Sequence, residues 1–139
     1  MFYVISVAVH GSVIIRPNHT STMIGQSVQF DCELNFGNDL HVMAWYFGEK
    51  RIYYDEEGSQ DYPEGKTKYS VKELPGHHYI LEIKDLTKND GGTYSCLNLR
   101  SRAEATLLIL GEFKLFIIIT CWGIKCYQVS SQDSYHLLF

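Results

Sequence analysis

Apolar and polar residues alternate with a period of two through the middle of the chain. In "SVQFDCEL" the residues Val28, Phe30, Cys32 and Leu34 share one side, and Gln29, Asp31 and Glu33 share the other. "YILEI" repeats the pattern with Tyr79, Leu81 and Ile83, "HVMAWYF" with Met43, Trp45 and Phe47, and "EATLLIL" with Ala105, Leu107 and Ile109. Successive side chains of a strand point to opposite faces, so each segment reads as a half-buried strand with one side on a core. Turn signals separate them: Gly25, "FGND" at 36–39, Gly48, "EEGSQ" at 56–60, "PEG" at 63–65, "PG" at 75–76 and "NDGG" at 89–92. No helical period emerges over residues 1–112. Short strands at this spacing predict an all-β sandwich or barrel.

Composition narrows the picture. The 139 residues give room for one domain of ordinary size, and 45% hydrophobic with 14% aromatic content is that of a globular chain. A net charge of -4 with scattered Lys and Arg leaves no basic stripe to neutralise phosphates, so no nucleic-acid partner is expected. Residues 1–11 contain the apolar run "FYVISVAV", which resembles the hydrophobic part of a secretory signal, although short and without a basic start; the alternative is a leading strand. Residues 112–139 form a tail whose apolar run, Leu115 to Ile124, would span about 15 Å as a helix against about 30 Å of hydrocarbon. Membrane anchoring through 113–124 and a truncated end of a longer receptor are both readings of that tail. Cys121 and Cys126 within it are juxtamembrane thiols, a local disulfide, or free.

Candidate chemistry is sparse. His77 and His78 are adjacent, would face opposite sides of a strand, and cannot readily share a metal. The acidic group from Asp55 to Glu64 lacks the ligand spacing of a calcium loop and reads as solvated. No nucleophile–base constellation and no phosphate-cradling loop is present, so no enzyme, cofactor or metal site is expected. "NHT" at 18–20 is a glycosylation sequon with Asn18 as acceptor. "DGGTYSC", Asp90 to Cys96, is open on its residues alone: Cys96 there suits a redox thiol, a metal ligand or half of a disulfide, and none of the four cysteines forms a C-x-x-C pair.

The run "LEIKDLTKNDGGTYSC" places Leu81, Ile83, Leu86, Asp90, Gly92, Tyr94 and Cys96 in the spacing L-x-I-x-x-L-x-x-x-D-x-G-x-Y-x-C, with Trp45 thirteen residues after Cys32. Over about residues 12–111 this closely resembles the immunoglobulin superfamily. The resemblance implies a two-sheet Greek-key sandwich pinned by a Cys32–Cys96 disulfide, with Trp45 packed against it and Leu81, Ile83 and Leu86 in the framework. It makes Tyr94 a tyrosine-corner residue and Gly92 the place where the turn passes close. Asp90 is then either the partner of Lys68 or a turn residue bonding its own backbone. A cysteine separation of 64 fits a V-like or an I-like domain.

By the same resemblance the protein is a non-enzymatic recognition or adhesion module, cell-surface or secreted. The alternative is a structural I-like module of an intracellular muscle-type filament protein. If Trp45 and Cys96 face inward, then Ala44, Tyr46, Leu97 and Leu99 face outward, joined by Thr106, Leu108, Leu110 and one of Tyr53 and Tyr54. That predicts an apolar, tyrosine-bearing patch on the sheet lettered G-F-C-C′ in this family, with Tyr46, Leu97, Leu99 and Leu108 as its residues. The expected partner is another protein, homophilic or heterophilic, on this face or on the end loops.

Overall fold

The computed structural model describes residues 12–111, together with the backbone of two short strands beyond them. Ten strands and one 3-10 turn build the body: β1 (Val13–Arg16), β2 (His19–Met23), β3 (Val28–Leu34), β4 (Val42–Phe47), β5 (Lys50–Glu56), β6 (Ser59–Asp61), β7 (Tyr69–Leu74), β8 (His78–Ile83), the turn Lys88–Asp90, β9 (Gly92–Leu97) and β10 (Arg102–Leu110). β11 (Cys126–Val129) and β12 (Tyr135–Leu138) pair with each other. The candidate anchor at 113–124 and Cys121 lie outside the described residues.

The strands form a four-stranded sheet in the order β1-β3-β8-β7 and a six-stranded sheet in the order β2-β10-β9-β4-β5-β6. The chain crosses between them from β1 to β2, β2 to β3, β3 to β4, β6 to β7 and β8 to β9, which makes a Greek-key sandwich. The first crossing occurs at Pro17, which has no N–H to continue a ladder. β1 runs antiparallel to β3, whereas β2 runs parallel to β10.

The alternation seen in the sequence is the physical origin of the core. Phe30, Cys32, Trp45, Leu81, Ile83, Leu86, Tyr94, Cys96 and Leu107 are all buried between the sheets. Cys32 and Cys96 are disulfide-bonded with Cα atoms 6.4 Å apart, which links the two sheets. Phe30 lies 6.5 Å from Trp45 and 5.6 Å from Tyr94, ring centre to ring centre. Such a closure contributes about 4 kcal/mol on the chain-entropy account.

The β8–β9 connection shows why "DGGTYSC" has its composition. Asp90 Oδ2 accepts from the Thr87 backbone N–H at 2.7 Å and meets Lys68 Nζ at 2.6 Å, so Asp90 both caps its own turn and pairs with Lys68. The two alternatives left open by the sequence are compatible. The Tyr94 hydroxyl donates to the Asp90 carbonyl at 2.7 Å. Gly92 sits at φ +146°, where a Cβ would fall 3.0 Å from the Phe47 ring. Phe47 in turn stacks on Tyr94 at 4.6 Å.

Candidate recognition face

The outer face of the six-stranded sheet is set by register. Ala44 lies opposite Leu97 on β9 and opposite Tyr54 on β5. Tyr46 lies opposite Ser95, and Ser95 opposite Glu104 on β10. Leu97 lies opposite Arg102. Ala44 and Ser95 hold outward positions, yet they are only 3% and 0% exposed. Small side chains among large ones are covered by them, so these two form a floor walled by the half-buried Tyr46, Leu97 and Tyr54.

Polar groups fence this floor. Arg102 Nη2 donates to Ser95 Oγ at 2.8 Å, and Arg102 Nε lies 3.3 Å from Glu104 Oε1. On the other flank the Arg51 guanidinium sits over the Tyr54 ring at 4.8 Å, and the Tyr54 hydroxyl donates to Glu56 at 2.9 Å. That hydrogen bond raises the Tyr54 phenol above its ordinary pKa. Arg102, Glu104, Ser95 and Arg51 were not among the residues expected from sequence. Their alternation with the apolar positions was the available signal.

The expected patch needs three corrections, and one choice left open by the sequence closes. Leu99 is not on a strand face: β9 ends at Leu97, and Leu99 is 56% exposed in the tight turn that follows. Leu108 is 59% exposed, but Leu107 already pairs with Gly92 at the start of β9, so Leu108 lies beyond that strand. It stands about 20 Å along β10 from the Leu97–Arg102 row, with Glu104 and Thr106 between, so the leucines are not contiguous. Ala44 faces outward but is covered. Tyr54, not Tyr53, joins the face, because a register shift beside Trp45 turns both Ile52 and Tyr53 inward.

Other singled-out groups fall elsewhere. Asp55 is not solvated: it is 3% exposed and accepts from the Tyr53 hydroxyl at 3.2 Å and the Gly58 N–H at 2.8 Å. Burial, with Asp55 nearby, pushes the Tyr53 phenol far up. His78 is in β8, with Nδ1 2.9 Å from Asp31, whereas His77 lies in the preceding turn at φ +58°; a turn, not strand alternation, separates them. The end loops are cross-tied: Arg100 Nε meets Asp39 Oδ2 at 2.8 Å, and Asn98 Oδ1 accepts from the N–H groups of Arg100 and Ser101. Asn18 is exposed in the bend between β1 and β2. Among the described residues no helix is long and apolar enough to cross a membrane.

Comparison with known proteins gives a consistent picture. The immunoglobulin V-set domain model matches residues 15–107. A search of curated protein sequences finds no match. Among solved structures, a marsupial T cell receptor is similar with a TM-score of 0.61 at 18% identity, covering 78% of this chain and 55% of that one. A chain from a study of T cell specificity and activation by the superantigen toxic shock syndrome toxin-1 gives 0.57 at 20% identity, covering 70% of this chain and 98% of that one. Domain I81 of titin gives 0.55 at 17%, covering 71% and 95%. At these identities the structural likeness shows the fold alone.

Proposed function

Because the chain belongs to the immunoglobulin V-set family, we propose that it is a non-enzymatic recognition module that binds another protein through the outer face of its six-stranded sheet, centred on Tyr46, Tyr54 and Leu97. The observation that carries this reading is the covered floor of Ala44 and Ser95 beneath those three side chains. With the small residues sealed beneath them, the large side chains themselves meet a partner, and tyrosine offers large contact area with a polar tip. Arg102 and Glu104 supply charges at the rim that orient a partner. Leu99 extends the same end of the face from the adjoining turn, while Leu108 belongs to a different part of the molecule.

The cross-tied end loops favour the sheet over the loops as the binding surface. An extracellular or cell-surface location fits the Cys32–Cys96 bridge, since disulfides persist in oxidising compartments. The likeness to titin domains keeps an intracellular filament module as the rival, but the V-set match and the disulfide speak for recognition.

The test is association of Leu97→Asp and Tyr46→Ala variants, by sedimentation for self-association and by binding of the labelled domain to cells for a different partner. At least a roughly tenfold weakening is expected, with a nearly unchanged thermal transition. Association that survives both substitutions overturns the face and moves recognition to the end loops.

A further inference from the structure

The sequon Asn18-His19-Thr20 lies at the opposite end of the same sheet, and its surroundings give it a specific role. Asn18 is exposed, and its carbonyl accepts a 2.8 Å hydrogen bond from the Thr106 N–H. From there β2 runs parallel to β10, with His19 opposite Thr106 and Ser21 opposite Leu108. A shallow groove of about 460 Å³ runs along this pair, lined by His19, Thr20, Ser21, Thr106 and Leu108. Leu108 is one of the most exposed large apolar side chains among the described residues, and β2 is the free edge of its sheet.

We infer that Asn18 carries an N-linked glycan and that its first sugars lie along this groove over Leu108, closing this end of the sheet to partners. The inference rests on the extracellular reading above. A pyranose ring has an apolar C–H face and a polar rim. Leu108 suits the face, and His19, Ser21 and Thr106 suit the rim. Asn18 and Ser21 are three residues apart, about 10 Å along a strand, a reach that the first pair of sugars covers.

The chemistry is a substitution without redox change. The Asn18 side-chain nitrogen attacks C1 of an oligosaccharide carried on a lipid diphosphate. The new N–C1 bond forms as the C1–O bond breaks, the lipid diphosphate departs with that electron pair, and the amide gives up one proton. Thr20 supplies the hydroxyl that the sequon requires at this spacing. In the folded domain Thr20 is held in β2 opposite Leu107, and β10 is made long after β2. The sequon is therefore open while the chain emerges and closed once the ladder forms, so transfer precedes folding of this edge.

The experiment is translation of the full chain, behind an added secretory leader, with secretory microsomes. A glycosidase-sensitive mass increase is expected. It should vanish in Asn18→Gln and Thr20→Ala and persist in Thr20→Ser. An unmodified Asn18 overturns the inference and leaves the recognition face untouched. Finding Cys32 and Cys96 both reduced in the protein from its native cells tells against the extracellular reading, while the microsome experiment still decides the glycan. On the folded glycosylated chain, nuclear Overhauser contacts between the Leu108 methyls and the first sugars are expected. Sugar protons with no contact to Leu108 overturn the seating in the groove.

Discussion

The two outer faces of the sandwich come from the same alternation but are finished differently. On the four-stranded sheet, charges are satisfied sideways: Arg16 with Glu33 at 2.8 Å, His78 with Asp31 at 2.9 Å, and Glu82 with Gln29 at 2.8 Å and Lys84 at 3.5 Å. On the six-stranded sheet, Ala44 and Ser95 form a floor under two tyrosines and a leucine, and the charges stand at its edges. A partner landing on the first face would have to desolvate pairs that already satisfy each other. One landing on the second gains apolar contact at once. Side-chain size and lateral pairing, not strand geometry, distinguish the two faces, and the proposed recognition surface rests on that difference.

The strongest way to break this contrast is to release the sheets from each other. Replacing Cys32 and Cys96 together by Ala should cost about 4 kcal/mol and degrade both faces alike, measured by denaturant unfolding. A loss confined to one face would show that the sheets hold their shape independently. Next in size is Asp90→Asn, which leaves the Lys68 charge without its carboxylate, holding only the Asp85 carbonyl, and weakens the Thr87 cap. A loss of about 3 kcal/mol is expected in the same measurement, with recovery in part when Lys68→Met is added.

A third experiment separates the core from both faces. Burial raises the phenols of Tyr53, Tyr79 and Tyr94. Their contribution to stability is therefore complete below the unfolded value of about 10 and is lost as pH rises through the higher folded values. Phenolate absorbance should show these three silent until the fold gives way. Early, reversible ionisation of all the tyrosines would mean that the core is open to solvent.

The smallest effect belongs to the paired face. Hydrogen bonds from Arg16 and Gln29 hold the Glu33 and Glu82 carboxyls below their ordinary values. Their stabilisation is present at neutral pH and fades as pH falls through those lowered values. Because both lie half-buried at the surface, where water screens their pairs, Glu33→Gln and Glu82→Gln should leave melting nearly unmoved and association unchanged. Weakened association in either variant would assign recognition to the wrong sheet.

Much of the fold was legible in the chain because burial imposes a period of two that Val28–Leu34, Tyr79–Ile83 and Ala105–Ile109 obey. Asp90, Gly92, Tyr94 and Cys96 were readable because each supplies a distinct physical need within one turn. The face was harder. Parity extended past Leu97 put Leu99 on a strand that had already ended, and parity alone could not show that Leu108 is offset from Leu97, which only the β9–β10 register reveals. The extra residue beside Trp45 leaves no mark in the sequence, so the choice between Tyr53 and Tyr54 stayed open until the register decided it. The covering of Ala44 depends on neighbours contributed by β5 and β9, information that no single segment contains.

The parallel pairing of β2 with β10 carries a mechanical consequence. Met23 at the end of β2 lies opposite Leu110, so β1 begins at the far end of the sandwich from the place where β10 stops. A pull between residues 12 and 111 therefore acts along the strands and loads the rungs of that ladder in shear, all together. A pull between residues 23 and 111 would peel the same rungs one at a time. The same ladder would thus resist an in-line pull far better than one that opens it from its end.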